Sequence, residues 1–266
     1  MTEKLDKVMV VKIGGSTLGS QDTTFEDIVY LQQQGKLLVI VHGGAKVVTE
    51  WLTRQGTPTR FVRGERVTDK AALDMVAAVL GGLVNKEIVA TINSLGGKAV
   101  GICGADGGLI QGKIRDEEMG YVGAVVKVDL APLETLLKSG YIPVVAPLGL
   151  YAFDRPSEAP RLLNINGDTL AGEIAAAVGA ERLIFLTDVA GICDRQGKLL
   201  PKLSPEKAEA LMASGEASGG MEPKIKGCLK ALSKIPLARI IDGRQPHALL
   251  QEIEGRGDGT TIEVQK

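Results

Sequence analysis

Apolar residues fall along this chain in two alternating rhythms. Short, almost uninterrupted runs rich in Val, Ile and Leu occupy residues 8–11, 37–41, 99–102, 142–146, 183–186 and 239–241. Continuous hydrophobicity of this kind suits a strand covered on both faces, as in a parallel sheet. Between the runs, apolar residues three and four apart predict helices over residues 25–34, 47–55, 70–80, 86–95, 130–138, 169–178, 205–213 and 225–232. Strand and helix thus alternate, which predicts an α/β layered fold with helices on both faces of a mostly parallel sheet. Two stretches break the rhythm. Residues 103–127 are glycine-rich with scattered charges, and residues 151–163 carry Pro156 and Pro160. Both read as hairpins or loops set between strands, the second also as a hinge between two lobes near residue 165.

Composition narrows the function classes. With 31 Lys+Arg against 32 Asp+Glu, the net charge of −1 lacks the basic excess of a nucleic-acid binder. Aromatic residues make up only 3%, which argues against base-stacking platforms. Cys103, Cys193 and Cys228 lie far apart with no CxxC pair, so they read as small buried residues of a protein in the reducing cytoplasm. The opening MTEKLDK is charged, and the apolar run behind it stops at Lys12, too soon for a signal-peptide core. No bilayer-spanning segment is expected either, since residues 141–153, the longest uncharged and largely apolar stretch, carry Pro143 and Pro147 and fall short of the ~20 residues needed.

Two strand ends run directly into paired glycines, Lys12-Ile13-Gly14-Gly15 and Val41-His42-Gly43-Gly44. In an open parallel sheet, ligands bind beyond the carboxyl ends of the strands, and glycine lets backbone N–H groups approach an anion. Each turn reads either as such a cradle or as a plain tight turn. Neither matches GxxxxGK[ST] or GxGxxG. Lys12, closing an apolar strand, either meets an anionic partner or extends into water. In Asn164-Ile165-Asn166-Gly167-Asp168, alternation puts the three polar side chains on one side if the segment is extended, while the same residues also suit a helix N-cap. Lys224, in the first turn of the helix that follows Ser218-Gly219-Gly220-Met221, opposes the helix dipole, which makes sense where an anion occupies that end. Arg66 either offers a fork suited to a carboxylate or is a plain exposed loop arginine.

Taken in order, KIGG at Lys12, VHGG at Val41, GERVTD at Gly64, LVNKEIV at Leu83, NINGD at Asn164, LTDVAGI at Leu186, GGMEPK at Gly219 and IIDGRQPHALL at Ile240 resemble the amino acid kinase family over nearly the whole chain. The resemblance implies a three-layer αβα sandwich. Residues 1–165 would form an N-terminal lobe for amino-acid binding and dimerisation, and residues 166–266 a C-terminal lobe for ATP. It also implies a phosphotransferase acting on the γ-carboxylate of N-acetyl-L-glutamate in arginine biosynthesis, with ATP and Mg2+ as co-substrate, in a cytoplasmic homodimer. Lys12 and Lys224 match the lysines that neutralise the transferring phosphoryl group, and Asp168 the acid that positions both. Gly43, Gly44, Arg66, Asn164 and Asn166 match the acceptor site, with Arg66 and Asn164 on its α-carboxylate. Gly14 and Gly15 match glycines that approach the phosphates. Thr187, Asp188, Val189, Gly191, Ile192, Gly219, Gly220 and Met221 match the nucleotide-binding stretches. No protein-held metal site is expected.

The chemistry is consistent with that assignment. A carboxylate acceptor has a pKa of ~4.3 and is ionised at neutral pH, so its phosphorylation needs no general base. It needs positioning, positive charge and backbone donors. Three positions depart from the family pattern: Ala45 replaces a third glycine after VHGG, Gly167 a common alanine, and Glu222 a commonly apolar residue. His42 and His247 read as structural. Eleven residues precede Lys12, whereas arginine-inhibited members carry an additional N-terminal helix, so insensitivity to arginine is expected. A kinase for a related acyl-amino acid, or a non-catalytic sensor on the same fold, are the alternatives.

Overall fold

The computed structural model describes residues 7–14, 23–62 and 64–264. Among them, the strands are β1 (Val8–Ile13), β2 (Leu37–His42), β3 (Phe61–Val62), β4 (Glu65–Arg66), β5 (Ala99–Cys103), β6 (Ile110–Ile114), β7 (Val122–Val128), β8 (Ile142–Ala146), β9 (Leu148–Tyr151), β10 (Leu162–Ile165), β11 (Arg182–Thr187), β12 (Lys202–Leu203), β13 (Leu237–Asp242) and β14 (Thr260–Glu263). The helices are α1 (Thr24–Gln33), α2 (Ala45–Arg54), α3 (Lys70–Val76), α4 (Asn85–Ser94), α5 (Ala131–Lys138), α6 (Gly167–Val178), α7 (Pro205–Ala213), α8 (Met221–Leu232) and α9 (Ala248–Ile253). Eight strands form the main sheet in the order β12-β14-β13-β11-β1-β2-β8-β5. Only the β13–β14 pair in it is antiparallel. Every continuous apolar run in the sequence is one of its strands. The parallel crossovers place helices on both faces, so those runs are covered twice.

Strand parity decides which way β1 aims its side chains. Val8 and Val10 pack with buried residues of α5, α6 and α8, whereas Met9, Val11 and Ile13 pack with α1, α2 and α4 on the opposite face. Lys12 shares the parity of Val8 and Val10, and so points toward α6 and α8. Those two helices cross at glycines. A Cβ on Gly172 would lie 2.3 Å from the Gly227 carbonyl oxygen, and one on Gly227 would lie 2.5 Å from the backbone carbonyl oxygen of Asp168. Only glycine at both positions permits this approach, which brings the first turns of α6 and α8 together.

The irregular stretch at 103–127 resolves into β6 and most of β7. With β9 and β10 they form a second, closed sheet in the order β10-β7-β6-β9. Thr68 is tied to this sheet, its N–H donating to the Met119 carbonyl (3.0 Å) and its carbonyl accepting from Tyr121 N–H (2.7 Å). The structure also departs from the sequence reading at residues 70–95. There α3 and α4 are joined by a π-helical segment, Ala77–Val84, into one continuous helix. By length and composition the helix Lys70–Ser94 is apolar enough to cross a membrane. Its stripe of Leu73, Val76, Leu80, Val84, Ile88 and Ile92 is nevertheless buried in the protein core. Gly81 and Gly82 hid this continuity, because glycine weakens a helical signal.

Candidate active site

A cavity of about 370 Å³ lies beyond the carboxyl ends of β1 and β2, between α2, the β3–β4 hairpin, β10, and the start of α6 and α8. At its floor, Lys12 Nζ lies 2.6 Å from Asp168 Oδ1, and Lys224 Nζ lies 3.3 Å from Asp168 Oδ2. Lys224 also donates to the Gly220 carbonyl at 3.1 Å. Asp168 is only 7% exposed. Burial works to raise its pKa, but the nearby charges of Lys12 and Lys224 outweigh burial and hold it below the ordinary carboxylate value. The carboxylate is therefore ionised near neutral pH and acts as a spacer that holds two like charges side by side.

Asn164, Asn166 and Asp168 all line the cavity, although the segment is extended only as far as Ile165. Asn166 caps α6, its Oδ1 accepting from the N–H groups of Asp168 (2.9 Å) and Thr169 (3.1 Å). Cap and cavity wall are thus one residue, and the two readings of this motif are compatible. Asn164 donates to Thr68 Oγ1 at 2.9 Å, and Thr68 donates to the Arg66 carbonyl at 3.1 Å.

Arg66 is held from three sides. Its Nη2 donates to the Ala45 carbonyl (2.9 Å) and to Thr49 Oγ1 (2.6 Å), while its guanidinium carbon lies 4.7 Å from the centre of the Phe61 ring. Its Nη1 is buried and has no hydrogen-bond partner among the described residues. Burial lowers the Arg66 pKa from its usual value, and a guanidinium remains charged near neutral pH even so. A buried donor left open in this way calls for an acceptor from a ligand.

The two glycine turns differ from a simple cradle. Gly14 N–H donates to the Leu186 carbonyl (3.1 Å) and Gly43 N–H to the Ile13 carbonyl (3.0 Å), so both amides close strand ends. Gly15 lies outside the described residues. Gly44 caps α2 with φ of 141°, and the first internal bond of that helix runs from Val48 N–H to the Gly44 carbonyl. The N–H groups of Ala45 and Lys46 in its first turn therefore have no carbonyl to meet within the helix, and both residues line the cavity. Lys46, Thr49, Phe61 and Thr68 escaped the sequence reading, which noted Ala45 only as a departure from the family pattern. Ala45 and Lys46 follow VHGG directly and Thr68 lies inside GERVTD, but nothing in the sequence marked Thr49 or Phe61.

Among the described residues matched to nucleotide binding, only Gly220 lines this cavity. Thr187 is buried at the end of β11, where Asp188 and Val189 emerge to the surface. Gly191 has φ of 147°, and a Cβ there would sit 2.7 Å from both Leu199 and Thr260. Buried Ile192 gives its N–H to Thr260 Oγ1 at 2.8 Å, so these two residues anchor the loop. Gly219 is exposed with φ of 59° and Met221 is half-buried. His247 is structural, its Nδ1 lying 2.7 Å from Asp27 Oδ1. His42 does more than fill space, because its ring is bonded at both nitrogens. Glu222 pairs with Lys226 at 2.6 Å.

Lys12, Lys46, Arg66 and Lys224 face two acids in the lining, Glu65 and Asp168. Fold and cavity thus define an α/β protein with a cationic cavity at the carboxyl end of a parallel sheet. The amino acid kinase family matches residues 7–242, and the chain belongs to that family. It is 50% identical over 262 residues to the acetylglutamate kinase of Dehalococcoides mccartyi (strain CBDB1), covering 98% of this chain and 96% of that protein. It is 47% identical to the acetylglutamate kinase of Nostoc sp. (strain PCC 7120), covering 96% of this chain and 87% of the relative. Among solved structures, N-acetylglutamate synthase from Neisseria gonorrhoeae complexed with coenzyme A and N-acetyl-glutamate superposes with a TM-score of 0.82 at 27% identity, covering 98% of this chain and 60% of that one. Carbamate kinase from Giardia lamblia bound to AMP-PNP shares the fold, with a TM-score of 0.69 at 14% identity and coverage of 98% and 100%.

Proposed function

We propose that the protein transfers the γ-phosphoryl group of MgATP to the γ-carboxylate of N-acetyl-L-glutamate, giving N-acetyl-L-glutamyl 5-phosphate. The observation that carries this reading is the Lys12–Asp168–Lys224 cluster at the floor of a cationic cavity. The near-full-length identity to acetylglutamate kinases supports it. The acceptor carboxylate attacks the γ-phosphorus, the bond from phosphorus to the bridging oxygen of ATP breaks, and ADP leaves; no proton has to move. Negative charge on the phosphoryl oxygens rises in the transition state between the two ammonium groups. Asp168 keeps both ammonium groups aimed there before substrate arrives. Arg66 Nη1 and Asn164 receive the α-carboxylate, with Gly43, Gly44 and Asn166 beside the acceptor.

The described residues contain no group of three metal-ligating side chains. In this reading the Mg2+ travels on the nucleotide, where it offsets the charge of the triphosphate. We assign acceptor binding and dimerisation to residues 1–165 and nucleotide binding to residues 166–266, the latter through Gly14, Gly15, Thr187–Ile192 and Gly219–Met221. The setting would be arginine biosynthesis in the cytoplasm, by a homodimer insensitive to arginine. Hydroxylamine trapping of acyl phosphate tests the reaction: hydroxamate should form with N-acetylglutamate and not with glutamate, aspartate or N-acetylaspartate. No hydroxamate from N-acetylglutamate would end the proposal.

A further inference from the structure

The VHGG and LVNKEIV segments meet beneath the cavity in a contact that the reaction chemistry leaves unused. His42 is fully buried at the end of β2. Its Nδ1 lies 2.8 Å from the Gly43 carbonyl oxygen, and its Nε2 lies 3.2 Å from Asn85 Nδ2. Partner chemistry fixes the tautomer. A carbonyl only accepts, so Nδ1 carries the hydrogen, and Nε2 accepts from the Asn85 amide.

Asn85 is locked in turn. Its Nδ2 also donates to the Val144 carbonyl at 2.9 Å, and its Oδ1 accepts from Lys86 Nζ at 2.9 Å. A Cβ on Gly101 would lie 2.0 Å from Asn85 Oδ1, so the facing strand is cut back to make room for the amide. Asn85 stands where the π segment passes into α4, and Leu80 and Val84 of that segment press on the Gly44 turn, within 2.7 and 3.4 Å of where a Gly44 Cβ would be. Burial, with the charges of Lys12 and Lys86, pushes the His42 pKa down to about 4. The ring is accordingly neutral at physiological pH, as the bonding pattern requires.

Resting on the function proposed above, we infer that His42, clamped by Asn85, is a positioning residue for phosphoryl transfer: its bond to the Gly43 carbonyl sets the orientation of the peptide linking Gly43 to Gly44. In a trans peptide the C=O and the following N–H point in opposite directions. A carbonyl drawn down onto His42 turns the Gly44 N–H the other way, and both glycines line the cavity. That N–H, beside the amides of Ala45 and Lys46 that have no carbonyl to meet within α2, is placed to meet developing negative charge.

Three variants separate positioning from packing. An Asn side chain at 42 can present its amide N–H where the imidazole Nδ1–H stands, whereas Gln reaches toward Asn85 instead and Leu offers neither. His42→Asn should keep kcat within about threefold of wild type. His42→Gln and His42→Leu should lose about 10- to 100-fold in kcat, with KM for N-acetylglutamate changed less than about threefold. Equal losses for Asn and Leu, or full activity with Gln or Leu, would overturn the inference. Nitrogen NMR of the folded wild-type protein, which needs no variant to fold, should show the Nδ1–H tautomer throughout pH 6–8. An Nε2–H or charged ring would equally overturn it. A wild-type enzyme inactive on every carboxylate would defeat the proposed function while leaving the tautomer result to stand or fall by itself.

Discussion

Lys12, from the first strand of the chain, and Lys224, from a helix more than two hundred residues later, share the two oxygens of Asp168 at 2.6 and 3.3 Å. A contact made only as charge moves onto the phosphoryl oxygens should show in the rate constant and little in substrate affinity. Lys224→Ala is expected to lower kcat by about 10² or more while KM for the amino acid changes only a few-fold. Steady-state kinetics with each substrate varied in turn will check this.

Asp168→Asn removes the anion that both ammonium groups need. Leaving buried charges unpartnered costs about 3–5 kcal/mol, so urea unfolding should shift to a markedly lower midpoint, and kcat should fall with it. Because the native-state pKa of Asp168 is depressed, its stabilisation is present above the unfolded value of about 3.8 and is lost as pH falls through the lower native value. Acid unfolding curves of wild type and variant should converge at low pH.

At Arg66 the geometry needs a planar fork, with Nη2 bonded to Ala45 and Thr49 while Nη1 stays open. Lysine keeps the charge and loses the fork. Arg66→Lys should raise KM for the acceptor about 10- to 100-fold, with a smaller effect on KM for ATP.

Glycine to alanine inside a helix ordinarily stabilises by about 1 kcal/mol. At Gly172 the sign should reverse, because the added methyl would lie 2.3 Å from the Gly227 carbonyl oxygen. Gly172→Ala should destabilise by about 1–3 kcal/mol and, by forcing α6 from α8, also depress kcat. Thermal unfolding alongside activity tests the pairing of the two effects.

His247 sits at φ of 54° against the buried carboxylate of Asp27. The bond to Asp27 raises the His247 pKa above 6.5, so the stabilisation it brings is complete below that value and disappears as pH rises through the higher native pKa. Glu26 adds to the upward push on His247, and Asp27 is itself pushed upward, mainly by burial. The melting temperature of the wild type should decline between pH 6 and 8, and His247→Gln should flatten that decline.

Much of the molecule could be read from residue order. Doubly covered strands need unbroken apolar runs, and β1, β2, β5, β8, β11 and β13 all have them. The short edge strand β12, Lys202–Leu203, and the four-residue β14 carry too few apolar positions to register. The helix α9, at six residues, is too short to display a helical period. At the site, Lys12, Asp168 and Lys224 stood out as charged residues next to glycine turns at strand and helix ends, but each had an ordinary structural use as well, and only the family resemblance put the three together. Thr49 was not legible, since a half-buried polar position on a helix gives no hint that a guanidinium from another element will settle on it. His42 shows a further limit: its imidazole looks like filling until the partner of each nitrogen is known.

The strand that carries Lys12 is hydrogen-bonded along both edges, to β2 on one side and to β11 on the other. It is the keel of the molecule, shared by the segments before and after residue 165. Whatever travel the surrounding loops undergo as reactants come and go, the ammonium at its end keeps its station. Drift in peripheral segments can change which molecules arrive there while the charge that greets them stays where it is.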